Sequence, residues 1–209
     1  MAGETRITND YVILVEGKDE QNFFPALADA RQLPLVQFLP YNGKSELGPL
    51  LRTLPKLPDF ARVRGLGVTR DADDSFQGAY ESVTALLRSA RLPVPAGELT
   101  AAQGKPVTAV FILPGGQQPG ALEDTLLASV NGLPTLLLVE DFVARVEQLR
   151  NAALSEAAKA KVRSYMAVQD PSHDLLGASA KAGVWPLTNA AFDGIETLIR
   201  IVTGQTGPV

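Results

Sequence analysis

Apolar runs alternate with polar, glycine-bearing turns through the first two thirds of the chain. Behind a polar leader, Asp10-Tyr11-Val12-Ile13-Leu14-Val15-Glu16 is the first run; Leu33 to Leu39, Val63 to Thr69 and Pro106 to Leu113 follow. Each is short, rich in β-branched residues and largely unbroken by polar positions, the pattern of a strand buried on both faces. Between them the apolar positions take helical spacing. Glu20 to Arg31 carries Phe23, Phe24, Leu27 and Ala30 on one side, and a segment through Leu54 follows the turn Tyr41-Asn42-Gly43-Lys44-Ser45, with Ser45 as its expected N-cap. Pro49 and Pro55 keep that helix short. Ser75 caps a third segment reaching about Arg91, with Val83, Leu86 and Leu87 inward; after an exposed connection from Leu92 to Lys105, Ala121-Leu122-Glu123-Asp124 opens a fourth.

The order βαβαβαβα predicts an α/β fold: a mainly parallel four-stranded sheet in a three-layer α/β/α, Rossmann-like arrangement. Beyond Leu133 the strand signal stops. Val139–Asn151, Ser155–Gln169 and Ala190–Val202 read as helices, the first two as an αα-hairpin, and Gly204 to Val209 as a frayed tail. The expected division is an α/β domain over residues 1–132 and a helical extension over 133–209 packed on it. Trp185 is the expected anchor of that extension.

Acidic residues fall where these strands end. Glu16 closes the first, Asp71 and Asp73 follow the third, and Glu123 follows the fourth. All ends of a parallel sheet lie on one edge, and ligands bind there at the point where strand order reverses. If the first and third strands are neighbours, Glu16 faces both aspartates. Converging carboxylates repel unless a cation sits among them, and a hard divalent ion with oxygen ligands suits them. The bland alternatives are an Asp-rich surface turn for Asp71-Ala72-Asp73 and helix-dipole partners for Asp19 and Glu20. Neither accounts for Glu16, which ends an apolar strand before the helix begins.

Bulk composition narrows the picture. In 209 residues there are 19 lysines and arginines against 23 aspartates and glutamates, a net charge of −4 that argues against a broad basic surface. The absence of cysteine removes disulfides and thiolate metal sites, and with no signal-peptide pattern a cytoplasmic protein is expected. No apolar run is long enough to cross a membrane.

Val12–Glu16 with Gly17, then Asn42-Gly43, then Asp71-Ala72-Asp73, resemble the three motifs of the Toprim domain. That module is shared by topoisomerases, bacterial primases, small ribosomal-RNA maturation nucleases and overcoming-lysogenization-defect nucleases. The resemblance spans Asp10 to Ser129. Val15-Glu16-Gly17-Lys18-Asp19 and Gly120-Ala121-Leu122-Glu123-Asp124 further resemble stand-alone Toprim-like proteins of unestablished function. It implies Glu16 as metal ligand or general acid/base and Asp71 and Asp73 as holders of Mg²⁺ (or Mn²⁺). In the nuclease branch, acids in the places of Asp19 or Glu20 and Glu123 help to bind a second metal. The implied activity is hydrolysis of nucleic-acid phosphodiesters, RNA or DNA. The separate tyrosine-bearing domain of a topoisomerase and the template-binding parts of a primase have no counterpart here.

Lys18 and Lys44, beside the acids, are candidates to meet a phosphate, with Gly43 in the same turn; Lys159 or Lys161 of the extension could stabilise transition-state charge. For each lysine the bland alternative is a solvated surface charge. Two other functions fit the same residues. One is a non-catalytic module that binds metal, a nucleotide or a protein partner, which the acidic balance favours. The other is a phosphatase or phosphotransferase of the haloacid dehalogenase type, with Asp71 as nucleophile, although that motif normally follows the first strand and Glu16 then goes unexplained. An EF-hand fails, since Phe76 and Ser82 stand where glycine and glutamate are required. His173, the lone histidine, sits at an expected helix entry and is set aside.

Overall fold

A computed structural model describes residues 6–205; the start of the leader and residues 206–209 of the expected tail lie outside that span. Four strands, β1 (Tyr11–Val15), β2 (Gln37–Pro40), β3 (Gly65–Asp71) and β4 (Val107–Leu113), form one sheet in the order β2-β1-β3-β4. Every pairing is parallel. The helices are α1 (Lys18–Ala30), α2 (Lys44–Thr53), α3 (Phe76–Ser89), α4 (Leu122–Ser129), α5 (Pro134–Arg150), α6 (Ala157–Ala167), α7 (Leu176–Lys181) and α8 (Asp193–Thr203). The three-layer α/β/α architecture expected from the alternation is the one observed.

Side-chain alternation along β1 shows how the layers form. Ile13 and Val15 point into a core built with Phe23, Phe24 and Leu27 of α1 and with helices α4 to α8. Val12 and Leu14 point the other way, against Leu47 and Leu51 of α2 and Val83 and Leu87 of α3. The final helix, α8, lies directly on β1, β3 and β4. Its approach explains two glycines inside β3. A Cβ on Gly65 would meet the Val202 carbonyl oxygen at 1.9 Å, and one on Gly67 would meet Ile13 at 2.9 Å and Val202 at 3.2 Å. Arg31, at the end of α1, ties that helix to the C-terminal segment. Its guanidinium donates to the carbonyls of Leu187 and Asn189 and to the carboxylates of Asp193 and Glu196. Trp185 is buried, its indole N–H donating to Ser179 Oγ at 2.8 Å.

Several boundaries differ from the sequence reading. β2 starts at Gln37 rather than Leu33: Pro34 has no N–H for a ladder, and Leu35 is 80 % exposed. Gly43, not Ser45, caps α2; its φ of +103° makes the turn, and Ser45 lies inside the helix. α1 begins at Lys18, two residues earlier than the apolar spacing marks. α5 begins at Pro134, where a fixed φ suits the first helical position, and not at Val139. The six-residue α7 carried too few apolar repeats to read from sequence.

Candidate functional site

The strand order reverses between β1, whose chain goes on to β2, and β3, which leads to β4. The switch point therefore lies between the carboxyl ends of β1 and β3. Glu16 is the first residue past β1, and Asp71 is the last of β3, paired with Leu113 of β4. Gly17, the N-cap of α1, turns the chain so that Lys18, Asp19 and Glu20 start the helix on this rim. The loop after β4 returns α4 to the same place. Asp73 and Gly120 exchange backbone hydrogen bonds at 2.9 and 2.8 Å, and the Leu122 N–H donates to Asp71 Oδ1 at 3.2 Å. Glu16, Lys18, Asp19, Glu20, Asp71, Glu123 and Lys159 all line one cavity of about 160 Å³.

Its electrostatics are strained toward protonation. Burial, then the nearby Glu20, Glu16, Glu123 and Asp73 carboxylates, pushes Asp71 up to about 8. Glu16 is raised chiefly by burial, against an opposing pull from Lys44. Glu20 is also raised, first by burial, although its Oε2 accepts the Gly17 N–H at 2.9 Å. Tyr41 stands under the group. Its hydroxyl donates to the Thr69 carbonyl at 3.0 Å and lies 3.4 Å from Glu16 Oε2; burial and Glu16 raise its pKa, so it stays a neutral phenol.

The expected residues are not all equivalent. Asp73, at φ +51°, is exposed and its carboxylate is engaged by the Lys44 ammonium. Gly43 donates its N–H to the Glu16 carbonyl at 3.0 Å, which brings the α2 turn to the rim. Lys159 lines the cavity while bonded to Glu156 at 2.7 Å, whereas Lys161 turns to Glu140 at 3.8 Å. Glu20 and Tyr41 were underweighted by sequence. A glutamate three residues beyond a glycine N-cap is a usable signal for the first; the second is marked only by being the one tyrosine that falls in a turn. Among the described residues, no three His, Asp or Glu side chains are gathered as a ready-made metal ligand set.

Residues 10–201 match the model of a family described as "Protein of unknown function (DUF3226)", and the chain belongs to that family. No curated protein matches it. Among solved structures it is similar to the C-terminal region of the Xanthomonas campestris pv. campestris OLD protein, with 20 % identity and a TM-score of 0.47, over 93 % of this chain and 95 % of that one.

Proposed function

We propose that this member of the family carries out divalent-cation-dependent chemistry on nucleic-acid phosphodiesters, hydrolysis first of all, at the carboxyl rim of its sheet. The observation that supports the reading is the crowding of Glu16, Glu20 and Glu123 around Asp71, which leaves that half-buried carboxylate poorly stable as an anion. The donor set is all oxygen, which suits Mg²⁺ or Mn²⁺, and Mg²⁺ commonly needs only one or two carboxylates because it keeps several waters. Glu16 and Asp71 would hold it, and Asp73 would add a further oxygen ligand if freed from Lys44. Asp19 and Glu123, on the outer wall, are the residues for a second ion. A cation bound there would activate water and neutralise charge on the leaving oxygen. The chain's own groups have separate tasks. As the alternative to holding the ion, Glu16 would take or return a proton at the carboxylate beside the Tyr41 hydroxyl. Lys18 and Lys44 would receive phosphate oxygens, and the Gly43 turn brings Lys44 toward the rim.

A second reading is favoured by one specific observation. The Lys44 ammonium already engages Asp73, and among the described residues no three-carboxylate set is gathered. On this reading the chain binds a cation, a nucleotide or a protein partner without turnover. A panel of labelled single- and double-stranded RNA and DNA, incubated with Mg²⁺ or Mn²⁺, separates the two. Hydrolysis predicts metal-dependent cleavage that disappears in Glu16→Gln while the fold is retained. A metal-dependent rise in melting temperature with no cleavage supports the binding module. Neither cleavage nor a shift in melting removes both hydrolysis and cation binding.

A further inference from the structure

Far from the acidic rim, α5 and α6 leave apolar surface uncovered. Leu138, Phe142 and Leu149 of α5 are 72 %, 57 % and 88 % exposed, and Leu149 is the most exposed large hydrophobic side chain among the described residues. With 3.6 residues per turn, these three and Arg145 fall within a stripe about 60° wide. At one end of the stripe, between α5 and α6, opens a cavity of about 520 Å³ lined by Leu138, Val139, Phe142, Ala167 and Val168, with Thr135 and Ser164 at its wall. At the other end Leu149 projects into solvent. Eleven residues, roughly 16 Å of helix, separate the projecting side chain from Leu138 at the hole.

We infer that this stripe docks a second copy of the chain, with the two α5 helices antiparallel across a two-fold axis. In such an interface whatever one copy does to the other is done in return. Leu149 of each copy then enters the hole beside Leu138 of the other, so the chain carries both the cavity and the side chain that fills it. The same register sets Phe142 against Arg145 of the second copy, a cation over an aromatic face. Arg145 is already paired with Asp141 of its own helix at 2.9 Å, so the middle of the stripe is neutral and two copies meet without like-charge repulsion. A parallel arrangement would stack Leu149 on Leu149 and leave both holes empty.

Sedimentation of the full chain over a range of concentrations tests this. The expected result is a reversible dimer. Leu149→Asp should weaken the dimer about tenfold or more. It should leave the melting temperature at dilute, monomeric concentration unchanged, because this side chain faces solvent. The register has its own test, since the chain has no cysteine. The double variant Leu138→Cys/Leu149→Cys should oxidise to a covalent dimer. Either single variant should not, because like positions on the two copies lie roughly 16 Å apart, beyond disulfide reach. A monomeric mass at every concentration overturns the inference, as does efficient cross-linking through Leu149→Cys alone.

Discussion

At the carboxyl rim of the sheet, Glu16, Glu20, Asp71 and Glu123 share a cavity of about 160 Å³; at the amino rim, Arg62, Arg64 and Lys105 line one of about 450 Å³ with Tyr11 and the end of α8. The same strands thus run from a basic hollow to an acidic one, and the larger hollow is the less demanding of the two. Its cations are exposed to water, Arg62 leaning toward Asp10 at 3.8 Å and Arg64 lying over the Tyr11 ring at 5.9 Å. Each has a partner or solvent. The acids opposite are closed in by α1, α4 and one another, and burial is what lifts Asp71 and Glu20. Cavity size and chemical tension are separate properties, and tension is the better guide to a site.

The sharpest way to break this contrast is to neutralise one rim at a time. Under the proposed hydrolysis, Asp71→Asn should reduce metal-dependent cleavage by about a hundredfold, while Arg64→Ala leaves it intact. Equal losses in the two variants, measured on the same oligonucleotide, would undo the assignment of chemistry to the carboxyl rim. Next comes Gly65→Ala, near the amino rim, where a methyl collides with the Val202 carbonyl. Overpacking of this kind costs about 1–3 kcal/mol, readable by urea denaturation, and the Mg²⁺ binding proposed at the opposite rim should be unchanged in the fraction that folds.

A smaller effect concerns pH. Asp71 holds its proton to about 8 in the folded metal-free chain but titrates near 3.8 once unfolded, so over that interval the native state binds the extra proton. Its contribution to stability is complete below the unfolded value and is lost as pH rises through about 8. The metal-free protein should therefore melt at a lower temperature above that point than at mildly acidic pH, and Asp71→Asn should flatten the slope. Saturating Mg²⁺ should flatten it too, because a bound cation replaces the proton. Smallest of all, Lys44→Ala removes an exposed ion pair and should change stability by less than about 1 kcal/mol. Calorimetric titration should show tighter Mg²⁺ binding in that variant if Asp73 is a ligand, and unchanged binding if it is not.

The alternation of apolar runs and helical spacing was enough to read the parallel sheet, because strands such as Val12–Val15 and Val107–Leu113 are buried on both faces and tolerate almost no polar residue. Glu16 and Asp71 stood out for the same reason: each carboxylate breaks or ends an apolar run. Gly65 and Gly67 were silent in sequence. Gly65 takes its meaning from α8, more than a hundred residues away along the chain, whose backbone passes where a side chain would otherwise stand, and Gly67 takes its meaning from the Ile13 and Val202 side chains.

Local chemistry by itself determined that there are four strands (though not where β2 begins), where the acids emerge, and that they emerge on one rim. Only the tertiary structure decided the order β2-β1-β3-β4, which sets Glu16 beside Asp71, and the return of α4 that adds Glu123 to the cavity. It also decided that Lys159 of α6 reaches that cavity while Lys161 turns away. Periodicity records how each segment meets the core. Distances between segments depend on which faces pack together, and that choice is made by the whole chain at once.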